Sequence, residues 1–283
     1  MLVLTRWAAV VAVMGFMLGA GVAEALAGQP APWELGLQKA ASPLMESLTS
    51  FHNFLLYIIT AIVVLVLALL LIVIFRFNAR RNPVASRTTH HTLLEVAWTI
   101  LPVLILVMIA VPSFRLLFFQ LNIPQTDITI KATGKQWFWS YTYPDHGGFE
   151  FDSVMLQDAD RKPDQPRLLA VDNDIVVPVN KNIRMQVIGA DVIHAFAVPA
   201  FGIKIDAVPG RLNETWFRVE REGIYYGQCS ELCGKDHAFM PIAVRAVSEE
   251  AFNAWIDEAK KRFAGADTAK PTSIAAIDRP TAR

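Results

Sequence analysis

Cysteine is almost absent from the chain: its 283 residues include only Cys229 and Cys233. Two thiols are too few for the disulfide framework of a small secreted domain or for a four-thiolate zinc site, so whatever they do they do as a pair. There is no Cys-x-x-Cys-His, which excludes a covalently attached c-type haem. Charge is also scarce. Only 18% of residues are charged, against roughly 25% in soluble domains, while 53% are hydrophobic and the mean hydropathy is +0.35. That balance places part of the chain in lipid. Net charge is absent as well, with 26 Lys and Arg against 26 Asp and Glu, which argues against a nucleic-acid partner. The zero is a cancellation: residues 1–126 hold 7 bases and 4 acids, residues 127–247 hold 13 and 16, and the remainder 6 and 6.

Long apolar runs are present. Residues 1–27 read as a secretory signal, with Arg6 before a short apolar stretch and Ala25-Leu26-Ala27 as a small-x-small cleavage site. An outer segment, 28–53, follows. Residues 54–75 carry no charge and are long enough to cross a hydrocarbon core of about 30 Å as a helix. A second span covers 93–118 and includes Pro102 and Pro112, which membrane helices tolerate when neighbouring protein satisfies the freed carbonyls. The loop 76–92 holds Arg76, Arg80, Arg81 and Arg87, whereas 28–53 holds only Lys39 among the bases. The positive-inside rule therefore puts the loop in the cytoplasm and the rest on the outer side. Glu95, at the cytoplasmic start of the second span, reads either as a group on a proton path or as a headgroup-level carboxylate favouring its helix N-terminus.

Beyond residue 120 the period becomes two. Ile128, Ile130 and Ala132 alternate with polar residues, and Trp137, Trp139, Tyr141 and Tyr143 alternate with Phe138, Ser140 and Thr142. Further β-rich runs at 168–171, 175–179, 183–188, 194–198, 215–219, 224–228 and 241–247 are separated by turn residues. This spacing predicts an antiparallel sandwich over 120–249. Residues 250–264 predict an amphipathic helix with Phe252, Trp255, Ala259 and Phe263 on one stripe, and 265–283 read as a disordered tail.

The chemistry is concentrated in one loop. Cys229-Ser230-Glu231-Leu232-Cys233-Gly234-Lys235-Asp236-His237-Ala238-Phe239-Met240 brings together two thiols, an imidazole and a thioether, and His194 on another strand is a candidate second imidazole. Soft sulfur ligands with imidazole favour copper, and Cys, His and Met in one loop is the blue-copper pattern. The second cysteine is extra for a mononuclear site. Two thiolates four residues apart can bridge two metal ions, each capped by one histidine, with Met240 and a backbone carbonyl as weak outer ligands. A disulfide between the cysteines and a zinc site of Cys229, Cys233, His194 and His237 are alternatives, the latter leaving Met240 without a role.

The run from Tyr225 to Pro241 resembles the binuclear copper loop of subunit II of the haem-copper cytochrome c oxidases. Gly134-Lys135-Gln136-Trp137-Phe138-Trp139-Ser140-Tyr141, Asp206-Ala207-Val208-Pro209-Gly210-Arg211-Leu212-Asn213 and Glu95-Val96-Ala97-Trp98-Thr99-Ile100-Leu101-Pro102 are similar to the same family. The resemblance covers about residues 33–260. It implies a two-helix transmembrane hairpin, an all-β cupredoxin-like sandwich and a short C-terminal helix, in a bacterial inner membrane.

It also implies roles. Cys229 and Cys233 would bridge two coppers (copper A), His194 and His237 would each bind one, and Met240 and the Glu231 carbonyl would be axial. The Glu231 side chain would bind a magnesium shared with subunit I. Trp137 would be where electrons enter from cytochrome c, Asp172 and Asp191 would dock that donor, and Glu95 would begin a proton-uptake path. The partners implied are the haem-bearing subunit I, subunit III, cytochrome c and membrane lipid. The chain departs from the family at Thr142, where an acid often follows Ser-Tyr. Quinol oxidase subunit II shares the architecture but lacks the copper ligands present here. A membrane-tethered copper carrier is the rival from a different class. It would use exposed, exchangeable ligands and have no need of Glu95 or Trp137.

Overall fold

The computed structural model describes residues 28–84 and 86–263; the signal and the tail expected at the two ends lie outside the described residues. Two long helices come first, α1 (Pro43–Arg76) and α2 (Thr92–Leu121), both long and apolar enough to cross a membrane. Their apolar side chains are exposed along the chain's own surface, leaving them for lipid or for other helices. Pro102 and Pro112 lie within α2 without ending it.

α1 begins at Pro43 rather than at the apolar run. Ser42 is its N-cap: the hydroxyl accepts from Met45 N–H at 3.0 Å and donates to Phe201 O at 2.7 Å, so one side chain both starts the helix and ties it to the β domain. Leu44 and Met45 are buried there, Ala41 N–H donates to Ala200 O at 2.8 Å, and Glu220 N–H donates to Ala41 O at 3.2 Å. The first turns of α1 are therefore protein-docked, and the membrane run follows in the same unbroken helix.

The β domain is a sandwich of two five-stranded sheets. Its strands are β1 (Ile128–Lys135), β2 (Phe138–Thr142), β3 (Glu150–Ser153), β4 (Ile175–Pro178), β5 (Ile183–Gly189), β6 (His194–Val198), β7 (Ile203–Ala207), β8 (Asn213–Phe217), β9 (Gly223–Cys229) and β10 (Pro241–Val247). One sheet runs β3-β2-β1-β5-β8 and the other β4-β10-β9-β6-β7. The expected sandwich is present, but it is not wholly antiparallel, because β1 pairs with β5 and β4 with β10 in parallel. Tight hairpins such as β1–β2 force antiparallel neighbours, whereas β4 and β5 arrive by crossing between sheets and can enter either way. Alternation is clean in β1 and β5, which bury every second residue. The run 168–171 forms no strand and contributes only an isolated bridge between Met155 and Val171, while β3 and β7 occur where no strand was expected.

Ile130, Trp139, Tyr141, Met185, Phe196 and Val244 fill the space between the sheets. The last helix, α3 (Glu249–Phe263), closes one end with Phe252, Ile256 and Ala259 buried. Trp255 lies 5.2 Å from the Tyr143 ring and Phe263 stacks on Phe151 at 4.9 Å, extending the apolar contact across the outer face.

Candidate metal centre

Four segments deliver the polar atoms at the other end of the sandwich. β6 starts with His194 and β9 ends with Cys229, and these strands are neighbours through Phe196 and Cys229. The chain then loops through Cys233, makes a short 3-10 turn at His237–Phe239, and places Met240 just before β10. Ligand atoms of His194, Cys229 and Cys233 all lie within 4.8 Å of one another. His237 Nδ1 is 3.5 Å from Cys233 Sγ, and Met240 Sδ is 3.6 Å from the same sulfur. Glu231 O lies 3.4 Å from Cys229 Sγ, while the Glu231 side chain is exposed. All six ligand positions expected from sequence thus converge.

The two sulfurs are 3.9 Å apart as free thiols, far beyond a disulfide's roughly 2.05 Å. An ion bonding thiolate sulfur at about 2.3 Å can touch both across that gap. Two thiols, two imidazoles, a thioether and a carbonyl are more donors than a closed tetrahedral zinc site uses, and the buried Met240 belongs to the cluster. The donor set fits a soft, binuclear, copper-type centre.

The two thiols are shifted in opposite directions. Burial pushes the Cys229 thiol up, but the contacts with His194, with the Ala195 and Glu231 backbone and with His237 together outweigh it and hold the thiol at about 6. Burial and the adjacent Cys229 push the Cys233 thiol up to about 12. The first thiolate forms readily and the second needs a cation to stabilise it.

Second-sphere contacts are specific. His194 turns Nδ1 toward Cys229 Sγ, at 3.9 Å, and its Nε2 lies 2.9 Å from Asp191 Oδ1. That is the carboxylate–histidine arrangement that fixes ring orientation and tautomer at metal sites. Asp191 also accepts from Val192 N–H and Gln136 N–H, each at 2.7 Å. Gln136 in turn donates through Nε2 to Cys233 O at 2.7 Å, and Trp139 Nε1–H donates to Met240 O at 3.3 Å. Gly134 lies under the imidazole, where a Cβ would come within 2.8 Å of His194 Cδ2. These supports were missed in the sequence, although Asp191 stands three residues before His194 and Gly134, Gln136 and Trp139 all fall in the aromatic motif.

Trp137 is not on the strand face that its period suggested. It sits in the turn between β1 and β2, half-buried, with Nε1–H donating to Cys233 O at 3.2 Å, whereas Trp139, Tyr141 and Tyr143 are fully buried. The chain reverses at Gln136 and Trp137, so the buried alternation of aromatics begins two residues later, at Trp139. A groove beside Trp137 is lined by Met155, Asp158, Arg167, Asp236 and Phe239. Asp172, on the connection from β3 to β4, accepts from Val154 N–H at 2.7 Å. Glu95 lies far from this cluster in sequence, at the start of α2, where Oε1 accepts from the N-cap His91 N–H at 3.2 Å.

Comparison with known proteins agrees with the site. Residues 128–247 match the family model "Cytochrome C oxidase subunit II, periplasmic domain", and residues 30–116 match its transmembrane domain. A probable cytochrome c oxidase subunit 2 of Rickettsia bellii is 56% identical over 244 residues, covering 86% of this chain and 91% of that one. Cytochrome c oxidase subunit 2 of Cereibacter sphaeroides is 48% identical, with 82% of each chain covered. The crystal structure of the periplasmic domain of subunit II from Bradyrhizobium japonicum is 68% identical over 50% of this chain and 99% of that one, with a TM-score of 0.48. With both halves matched and relatives of nearly equal extent, the chain belongs to the bacterial cytochrome c oxidase subunit II family and is a membrane-bound component of the oxidase complex.

Proposed function

We propose that this subunit receives electrons from cytochrome c at a binuclear copper centre and hands them to haem in subunit I, where oxygen is reduced to water. The observation carrying the reading is the convergence of His194, Cys229 and Cys233 within 4.8 Å, with His237 and Met240 against Cys233. When bound, the copper pair supplies a carrier that takes up and releases one electron. Cys229, Cys233, His194, His237, the Met240 thioether and the Glu231 carbonyl would hold it. Asp191 and Gly134 hold the His194 ring, and Gln136, Trp137 and Trp139 hold the loop by its carbonyls. Such supports would keep the ligand side chains in one arrangement, which lowers the rearrangement that electron transfer requires.

Trp137 is the point where electrons enter. Its Nε1–H to Cys233 O hydrogen bond joins a half-exposed ring directly to the backbone of a ligand. Asp172 and Asp191 contribute to the acidic face met by a basic cytochrome c. The outward Glu231 side chain is the magnesium ligand shared with subunit I, and Glu95 opens a proton-uptake route into that subunit. The hairpin crosses a bacterial inner membrane twice, with the outer segment and β domain on the periplasmic side and loop 76–92 in the cytoplasm, and subunit III completes the neighbourhood. A copper carrier is disfavoured because His194, Cys229, Cys233 and Met240 are all at most 5% exposed. Metal analysis with electron paramagnetic resonance on the purified oxidase tests the reading. Two coppers in this subunit sharing one unpaired electron support it, and zinc or an oxidised cysteine pair that copper cannot replace overturns it.

A further inference from the structure

Trp137 does not meet solvent as a bare ring. The loop after Cys233 carries Lys235, whose Nζ stands 5.3 Å from the centroid of the Trp137 ring and 3.2 Å from Asp236 Oδ2. The quadrupole of an indole face attracts such a cation, and the carboxylate beside it holds the ammonium in place. Gly234, at φ +125°, brings the same loop so close that a Cβ there would fall 2.9 Å from the indole. The Lys235 side chain is nonetheless 77% exposed, so its charge faces whatever docks on this surface.

The surrounding acids are already engaged. Asp158, across the groove, pairs with Arg167 at 3.1 Å and Arg161 at 3.8 Å, and Asp236 pairs with Lys235. Asp191 accepts from Gln136, Val192 and His194. The domain carries an excess of acids, yet the charged side chains named around Trp137 are nearly balanced, and the Lys235 ammonium stands over the ring itself.

We propose that Lys235 is a specificity-determining residue of the docking face: its ammonium, held between Asp236 and the Trp137 ring, sets the charge that an electron donor meets at the contact point. This rests on the reading of Trp137 as the point where electrons enter. A lysine-rich donor docks against one local positive charge, so its approach is restrained, and a donor with fewer positive charges is discriminated against less than the acidic domain alone would dictate.

The test uses the purified oxidase with lysine-rich cytochrome c, and with the same cytochrome after lysine acetylation, which removes the donor's charges. The readouts are the equilibrium Kd for oxidised donor and the bimolecular rate of reduction, each against ionic strength. Two unit charges about 7 Å apart in water-like surroundings interact strongly enough for roughly a threefold change in affinity. Lys235→Gln should therefore tighten binding of the unmodified donor about threefold at low salt, with the gain fading once the Debye length falls below about 8 Å. Acetylated donor should show no gain, and Lys235→Arg, which keeps the cation, should behave like the parent. Unchanged or weakened affinity in Lys235→Gln, with copper content intact, overturns the proposal. Trp137→Phe separates the two ideas: if it slows reduction while Lys235→Gln has no effect, the role of Trp137 stands without Lys235, and if it leaves reduction unaltered, the role of Trp137 itself fails.

Discussion

Asp191 offers the sharpest test of how the metal ligands are held. Its Oδ1 takes His194 Nε2 at 2.9 Å and Val192 N–H at 2.7 Å, while Oδ2 takes Gln136 N–H at 2.7 Å. Asp191→Asn keeps the shape but replaces one acceptor oxygen by a donor. If the amide oxygen stays on the His194 side, the new NH2 confronts Gln136 N–H, and that arm lets go of the segment that reaches Cys233 O. If the amide flips, the NH2 faces both Val192 N–H and His194 Nε2, and the imidazole loses its orientation. Either way at least one hydrogen bond to an ionised acceptor is replaced by a donor–donor contact, costing about 1.5–3 kcal/mol. That corresponds to roughly 10- to 100-fold weaker metal binding, the range usual for second-sphere changes. Chelator competition for copper on purified parent and variant oxidase measures it directly, with donor Kd determined in parallel. Copper affinity within about threefold of the parent, together with weakened donor binding, would refute the argument and leave Asp191 as a docking acid only.

Two other positions give independent checks. Glu95→Gln retains an acceptor for His91 N–H but cannot ionise, whereas Glu95→Ala loses both. If Glu95 passes protons, both variants lower oxygen consumption several-fold with copper content unchanged; if it serves only as a helix cap, the Gln variant turns over like the parent. His146 is wedged against Phe252 at 5.5 Å and Tyr143 at 6.4 Å, and Nδ1 is buried without a hydrogen-bond partner among the described residues. Burial, which outweighs the opposing charge of Asp145, lowers its pKa below the usual 6.5. The unfolded chain then binds the proton more readily, so the stability His146 contributes is complete above pH 6.5 and is lost as pH falls through the folded-state value. Melting temperatures of the full chain in detergent should drop from pH 7 to pH 5, and His146→Phe should flatten that drop; an identical pH profile in both would disprove the linkage.

Much of this molecule was legible in its residues, and the illegible parts share a cause. The clustering of His194, Cys229, Cys233, His237 and Met240 as a candidate metal site could be read because their chemistry is rare and most of them sit in one loop. The strands of β1 and β5 could be read because each has one buried face, which makes side chains alternate. The parallel pairs β1–β5 and β4–β10 join segments distant in sequence, where no local pattern reports the partner. Trp137 looked like a strand residue because periodicity says nothing about where a strand turns. Asp191 looked like a surface acid because its composition is the same whether it faces a donor protein or a histidine. The early start of α1 was signalled by Ser42-Pro43 with Glu46 following, an N-cap and first-turn pattern that hydropathy alone overlooks.

The weld at the head of α1 governs distance. From Pro43 to the apolar run the helix climbs about 16 Å at 1.5 Å per residue, and its first turn is bonded to the sandwich through Ser42 and Ala41. On the other side, Phe119 near the end of α2 meets Trp216 edge-on at 5.4 Å, and Asp127 N–H and Asn182 O close the passage into β1 at 2.9 Å. The sandwich thus stands on two stiff struts instead of swinging on a tether. In the electron-entry role proposed above, where tunnelling falls away steeply with separation, a strutted domain would hold the gap to be crossed constant.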